Sequence, residues 1–419
     1  MTRGRLALGA MMSIALAGPA HASTMDLFGF GGRSPALAGT GLATTSDYEA
    51  TWLDPAGLAL ARVKSATVGF LYGKFDLILA GQKTDTSPAR GSVIGGVVPM
   101  PLGGSLRDRV GLGFGFYVPL DTLNKAKAPY PGDPSFALLA NRSQVIAINI
   151  GVGYRVNDRW AVGAGVIALA ALKGTILVQT DPSGRFTTFS EEKLVTQVAP
   201  VFGVQRRDER LSLGATLRFP SRSDYDIQVT TDLGNVVPIA LPPIRIAGNA
   251  QYDPLTLAAE AGWQWQPDIL ISGQLAYQRW SAFPLPTENP VTGTPPQGPT
   301  GFHDIVVPRV SIEHTRTAGD ATLSFRLGYA FLWSPAPEQT GRQSLLDNNR
   351  QLGSIGVGAA WPRAKVPLHV DAWVQGQYLM FRANRKDPGL FDDPMTIPFD
   401  EASTRGHIVI AGVTIGVDL

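Results

Sequence analysis

The chain contains no cysteine, and only 17% of its 419 residues are charged. Without cysteine there is no disulfide scaffold, no thiolate metal site and no cysteine nucleophile. Lysine and arginine number 36 against 34 acidic residues, so no surplus of one sign marks a nucleic-acid surface. Beyond residue 22 there is no apolar run of about 18 residues or more, which excludes a membrane-spanning helix there. Disorder is excluded too, because hydrophobic residues make up 44% of the chain and the net charge is small. What is plentiful is glycine, with 47 residues. A large soluble protein and a protein that crosses a membrane with strands both fit this composition.

The N-terminus narrows the choice. Arg3 and Arg5 precede an apolar stretch, Leu6 to Ala17, and Ala20-His21-Ala22 has the small-residue spacing of a cleavage site. Residues 1–22 therefore read as a secretory signal peptide. Its removal takes away two arginines and no acid, which leaves 34 basic against 34 acidic residues.

The remainder alternates. Leu211, Leu213, Ala215, Leu217 and Phe219 interleave with Ser212, Gly214, Thr216 and Arg218. Leu323, Phe325, Leu327, Tyr329 and Phe331 do the same with Thr322, Ser324, Arg326 and Gly328. Period two means strands with one apolar face. About fourteen strands are expected, at 65–81, 92–101, 109–119, 142–156, 159–178, 193–206, 210–229, 255–266, 269–281, 304–316, 321–334, 350–361, 367–382 and 406–419. Tight connections such as Asn157-Asp158 and Pro267-Asp268 alternate with long ones at 120–141, 179–192, 230–254, 282–303, 335–349 and 383–405. Short turns on one side and long loops on the other, with an even strand number, are the pattern of a bacterial outer-membrane barrel. Aromatic residues near strand ends, among them Tyr72, Trp160, Tyr277, Trp333 and Tyr378, suit interfacial girdles. The last strand ends on Leu419, apolar but not aromatic. The fold class is thus all-β: a transmembrane antiparallel β-barrel of about 14 strands in the outer membrane, in contact with its lipid.

Residues 23–64 do not alternate and are rich in glycine and alanine, as in Phe28-Gly29-Phe30-Gly31-Gly32 and Ala36-Leu37-Ala38-Gly39. A barrel this wide leaves a lumen, and a compact segment of small residues can plug it. The domain organisation is then signal peptide 1–22, N-terminal hatch 23–64 and barrel 65–419.

At this point the sequence resembles the FadL-type outer-membrane transporters of long-chain fatty acids and other hydrophobic compounds. The resemblance rests on Asp54-Pro55-Ala56 followed by Gly57-Leu58, where that family carries Asn-Pro-Ala in its hatch. It continues through Val152 to Gly165, Tyr277 to Ser281, Arg326 to Ala330 and Asp347 to Arg350, and covers essentially the whole mature chain. It implies a monomer that takes up a hydrophobic small molecule without an energy source. Capture would occur in extracellular loops, followed by passage into an apolar lumen pocket and lateral exit beside a kinked third strand.

Candidate residues follow. In the third strand Gly111, Gly113 and Gly115 share the inward face, where they either border a lateral opening or make space for the hatch. Leu120, Leu123, Tyr130, Phe136, Leu138 and Leu139 form an apolar set in a long loop, suited to capture of a greasy ligand or to packing over the barrel mouth. Arg155, Arg218, Arg309 and Arg326 read inward with Glu313 and Asp371. Such arginines bind a substrate carboxylate, or pair with lumen acids and hatch carbonyls. No metal-ligand spacing or phosphate-cradling loop is present, so neither metal nor cofactor is expected. The competing classes are a lipid hydrolase built on His369 beside Asp371, an open diffusion porin, and a FadL-like secretion-system shuttle. No nucleophile motif supports the first, and the glycine-rich hatch opposes the second.

Overall fold

Alternation dictates the architecture. In the first strand Val68, Phe70 and Tyr72 point outward and are exposed, whereas Leu71, Phe75 and Leu77 point inward and are buried. The computed structural model describes residues 24–121, 134–139, 145–180, 185–232, 242–285, 299–341, 343–387 and 401–419. The expected signal peptide lies outside these residues, as do Leu123 and Tyr130 of the loop set.

Sixteen long strands are numbered here in chain order. They are β1 (Ser65–Leu79), β2 (Ala89–Pro99), β3 (Val110–Pro119), β4 (Ala147–Arg155), β5 (Trp160–Thr180), β6 (Phe186–Arg207), β7 (Leu211–Arg218) and β8 (Ser221–Asp232). They continue with β9 (Ile244–Asp253), β10 (Thr256–Gln266), β11 (Ile269–Gln278), β12 (Ile305–Ala318), β13 (Ala321–Leu332), β14 (Arg350–Trp361), β15 (Leu368–Arg385) and β16 (Glu401–Asp418). Fourteen of them close a barrel in the order β1 to β7, then β10 to β16, each antiparallel to its neighbours. Closure is made by β1 against β16, from Ser65 opposite Asp418 to Leu79 opposite Thr404. Closing the sheet pairs the backbone polar groups that lipid cannot satisfy. No helix among the described residues is long and apolar enough to cross a membrane.

Two expected loops are strands instead. β5 and β6 run on together from Trp160 opposite Arg206 to Thr180 opposite Phe186, so most of 179–192 is hairpin rather than loop. The expected strand 210–229 breaks at Phe219-Pro220, and 230–254 contains β9. The β8–β9 hairpin leaves the wall, and β8 lies parallel to β5 from Tyr225 opposite Leu172 onward, just past the end of the β4 ladder. These stretches show no apolar–polar contrast, because the described β6 side chains from Thr187 to Thr196 are exposed on both faces. Period two marks a strand only where its two sides meet different surroundings.

Residues 24–60 sit inside the wall as three short helices and a 3-10 turn. The helices are α1 (Thr24–Phe28), α2 (Arg33–Ala36) and α3 (Ala50–Leu53), and the turn is Pro55–Leu60. Phe28, Phe30, Leu42, Ala56 and Leu58 are almost wholly buried against inward-facing wall residues.

Candidate functional site

The inner segment is seated on glycine. Gly111 of β3, Gly153 of β4, Gly163 of β5 and Gly203 of β6 stand opposite one another along one line of rungs. A Cβ added to Gly111 would fall 1.9 Å from the Leu58 carbonyl oxygen, and one on Gly163 would fall 2.2 Å from the Ala56 nitrogen. On Gly153 it would meet the Ala59 nitrogen at 2.4 Å, and on Gly203 Asp54 Oδ1 at 1.8 Å. Only residues without side chains leave space for the 55–60 backbone here. Gly113 and Gly115 likewise face Leu58 and Phe30, at 2.4 Å and 2.5 Å from the same construction. The third strand is paired without a break to β2 and to β4. Its three glycines therefore lie under the inner segment, in a wall closed on both sides.

Polar wall side chains tie the same segment down. Glu260 of β10 accepts from the backbone N–H groups of Gly41, Leu42 and Ala43 at 2.9, 3.0 and 3.3 Å. Gln205 donates to the Leu42 carbonyl and Arg207 to that of Thr45, at 2.8 and 2.7 Å. Ser354 and Gln377 donate to the carbonyls of Ala36 and Leu27. Arg33 joins a charge ladder. It pairs with Glu313 at 2.6 Å, Glu313 with Arg326 at 2.7 Å, and Arg326 with Asp371. Within the segment, Glu49 accepts from the N–H groups of Gly32, Arg33 and Ser34. Burial, reinforced by neighbouring Asp47, nevertheless pushes its carboxyl up to about 8.

Above this seat lies a cavity of about 50 Å³. Met25, Phe30, Leu42, Trp52 and Leu53 line it from the inner segment, and Ala258, Ala276, Leu332 and Leu352 from the wall. Its polar end is made by Asp26, Arg218, Gln274 and Arg309. Arg218 pairs with Asp26 at 3.2 Å and stacks 3.9 Å from the Trp52 ring centroid. Arg309 donates to Gln274 Oε1 at 3.0 Å, with no carboxylate oxygen of the described residues within 4.0 Å. The four inward arginines thus differ. Arg326 is neutralised by two acids and Arg218 by one. Arg155 sits at the rim, where it donates to the Asp108 carbonyl at 2.8 Å. Of the four, Arg309 faces the cavity with no ion pair, although Asp26 lines the same space.

The outer mouth is capped. Tyr252, Trp280, Phe283 and Phe302 form an aromatic row in which Phe283 and Phe302 stack at 4.1 Å and 7°. Ser135–Phe136 pairs in parallel with Leu345–Leu346 above the lumen. Phe136, Leu138 and Leu139 are buried in this cap, while Leu120 is 54% exposed. Below the seat a second space of about 480 Å³ opens among Arg33, Asp47, Arg207, Arg326, His369 and Asp371. His369 approaches Thr67 Oγ1 there, at 3.3 Å. A small chamber with one apolar side and one charged end above, and a polar vestibule below, are thus separated by residues 24–60. Spacing within one strand had shown Gly111 to Gly115 but not the line across four strands. The repeated Gly-x-Gly at 151–153 and 163–165 was the available signal. Nothing in the local pattern marked Glu260, Gln205 or Gln377, because their partners are backbone groups far away in the chain.

The geometry can be set beside known proteins. Residues 11–387 match the family model described as outer membrane protein transport protein (OMPP1/FadL/TodX). Among solved structures, the chain is similar to a Pseudomonas aeruginosa FadL homologue. Identity is 13%, coverage is 96% of this chain and 99% of that one, and the TM-score is 0.60. It is similar to the P. putida toluene transporter TodX at 14% identity, covering 94% of this chain and 99% of that one, TM-score 0.55. It is also similar to the CymD monoaromatic hydrocarbon channel at 13% identity, covering 93% and 97%, TM-score 0.55. No curated protein sequence matches.

Proposed function

The chain belongs to the outer membrane protein transport family (OMPP1/FadL/TodX), and from that premise we propose that it takes up hydrophobic compounds bearing one polar or anionic end, long-chain fatty acids above all. It is a transport protein of the Gram-negative outer membrane and not an enzyme. The observation that carries the substrate reading is the cavity, with Met25, Phe30, Leu42 and Trp52 along one side and Arg309, in no ion pair, at its polar end. A guanidinium with free donors binds a carboxylate through charge-assisted hydrogen bonds. The toluene and monoaromatic channels among the similar structures support hydrophobic cargo in general.

Transport follows from the seat. A cavity of about 50 Å³ is too small even for benzene, which occupies an engineered site of roughly 150 Å³. Entry of cargo therefore requires residues 24–60, the hatch, to give way. Leu120 stands exposed at the mouth, and behind it Phe136, Leu138 and Leu139, with the aromatic row, form a buried apolar layer that a ligand must part to enter. Lateral exit at β3 requires the turn 55–60 to leave Gly111, Gly113 and Gly115 and, in addition, the ladder of β3 with β2 or β4, unbroken in the seated state, to part. Hydrocarbon is favoured over water by about 0.8 kcal/mol per CH₂, so release into the bilayer runs downhill.

Titration of detergent-purified protein with oleate and with toluene tests this. Oleate binding is expected, and Arg309→Met should weaken it about ten- to a hundredfold while leaving toluene unaffected, as for loss of one charge-assisted bond worth about 1.5–3 kcal/mol. Equal affinities for both ligands in both proteins would refute the polar-end reading.

A further inference from the structure

Asp54 caps the turn that rests on the glycine line, and its carboxyl is buried without a charge partner. Its Oδ1 accepts the Ala56 N–H at 2.9 Å, while Oδ2 has no hydrogen-bond partner among the described residues. The side chain is 0% exposed. The strands packed on this turn offer little compensation. The inward positions of β3 and β5 facing it carry no charge, and β4 brings Asn149, with Arg155 engaged at the rim. From β6 come Gln205 and Arg207. Gln205 donates to the Leu42 carbonyl, and Arg207 Nη2 to Thr45 O and Gln205 Oε1. Glu260 of β10 adds a further negative charge nearby, and Asp47 and Glu49 precede α3. An ionised carboxylate with one N–H donor and no cation within 4.0 Å is strongly disfavoured in such a place.

We propose that Asp54 carries a proton while the hatch is seated, and that losing this proton loosens the 55–60 turn from its glycine seat. As a neutral acid the side chain matches asparagine in shape and in hydrogen-bonding capacity. Burial, opposed only in part by the Ala56 N–H, the Gln205 side-chain amide and Arg207, pushes its carboxyl up to about 8 from the ordinary 3.8. The sign follows. A seated hatch holds the proton and a released, hydrated one does not. Seating is strongest below about 4, weakens as pH rises from about 4 to about 8, and changes no further above it. The ratio of seated to released hatch falls by up to about tenfold per pH unit in that window. The device makes the closed state a function of external pH through one atom of the hatch.

The chain has no cysteine, so Ser46→Cys, at the vestibule wall, accepts a single spin label. In proteoliposomes the mobile spectral component of the labelled wild type should grow between pH 5 and 8 and then level off. Asp54→Asn should abolish that growth. Infrared difference spectra in D₂O should show carboxylic-acid C=O absorption at pH 6.5 that is lost above pH 8, and D54N should lack the part due to Asp54 and keep the part due to Glu49. Heat-modifiable gel migration checks folding, and Asp54→Ser serves the same comparison if D54N does not fold. A pH profile retained by the variant would assign the titration to Glu49 or another group and overturn the proposal. A flat wild-type profile would also overturn it.

Discussion

At the scale of single residues, glycine does two different jobs in this wall, and substitution separates them. Gly163 has hatch backbone 2.2 Å from where its Cβ would stand, whereas Gly353 and Gly273 face outward with nothing within 4 Å. Gly163→Val is expected to unseat the turn at a cost of about 1–3 kcal/mol, the usual range for overpacking. Single-channel recordings should then show an ion conductance absent from the wild type. Gly353→Val adds an apolar side chain to a lipid face and should leave conductance and melting temperature unchanged, within about 0.5 kcal/mol. A leak in the second variant and none in the first would reverse the assignment.

At the scale of elements, the hatch is held by charge as well as by fit. Glu313 lies between Arg33 of α2 and Arg326 of β13, with only 10% of its side chain exposed. Glu313→Leu leaves Arg33 without its acid while Arg326 keeps Asp371. Removing one partner of a buried pair costs roughly 3 kcal/mol, because the remaining charge stays desolvated. Denaturant unfolding in detergent should register this loss, and release of the hatch to added protease should precede melting of the barrel. Elements were also where the sequence was most and least readable. Strands such as Leu323 to Phe331 declared themselves because lipid lies on one side and the lumen on the other. The hairpin beyond Ala171 did not, since Glu191, Glu192 and Lys193 have water on both sides. The break at Pro220 was visible as a residue without an N–H, yet it sat inside an otherwise continuous alternation. Of the site, the inward arginines were readable by parity, but their differing partners were not. Which arginine meets an acid depends on rungs between strands, as with Arg326 beside Glu313.

At the scale of the whole molecule, the route proposed above makes transport depend on relative motion of the closed wall and the seated hatch. Thr40 Oγ1 and Ser311 Oγ lie 2.6 Å apart, one on the hatch and the other on β12. Thr40→Cys with Ser311→Cys should form a tether, since the natural chain has no other thiol to compete. Oxidised protein is expected to lose oleate uptake in cells, and dithiothreitol to restore it, with each single variant behaving as wild type. Full uptake by the oxidised protein would show that cargo passes without displacing this part of the hatch.

The closure of β1 against β16 has a consequence for how the molecule is made. The hatch leaves the ribosome before any of the wall, while the strand that shuts the wall is synthesised last. Its anchor Glu313 stands 280 residues after Arg33. The aromatic row closes the outer mouth, so in a finished cylinder α1 to α3 could come in only from the vestibule end. A cork put in place before the bottle is sealed avoids that passage. The early glycines of β3 to β5 offer it a berth as soon as those strands exist. The late strands then close around an occupant already lodged, and the order of the sequence becomes an order of assembly.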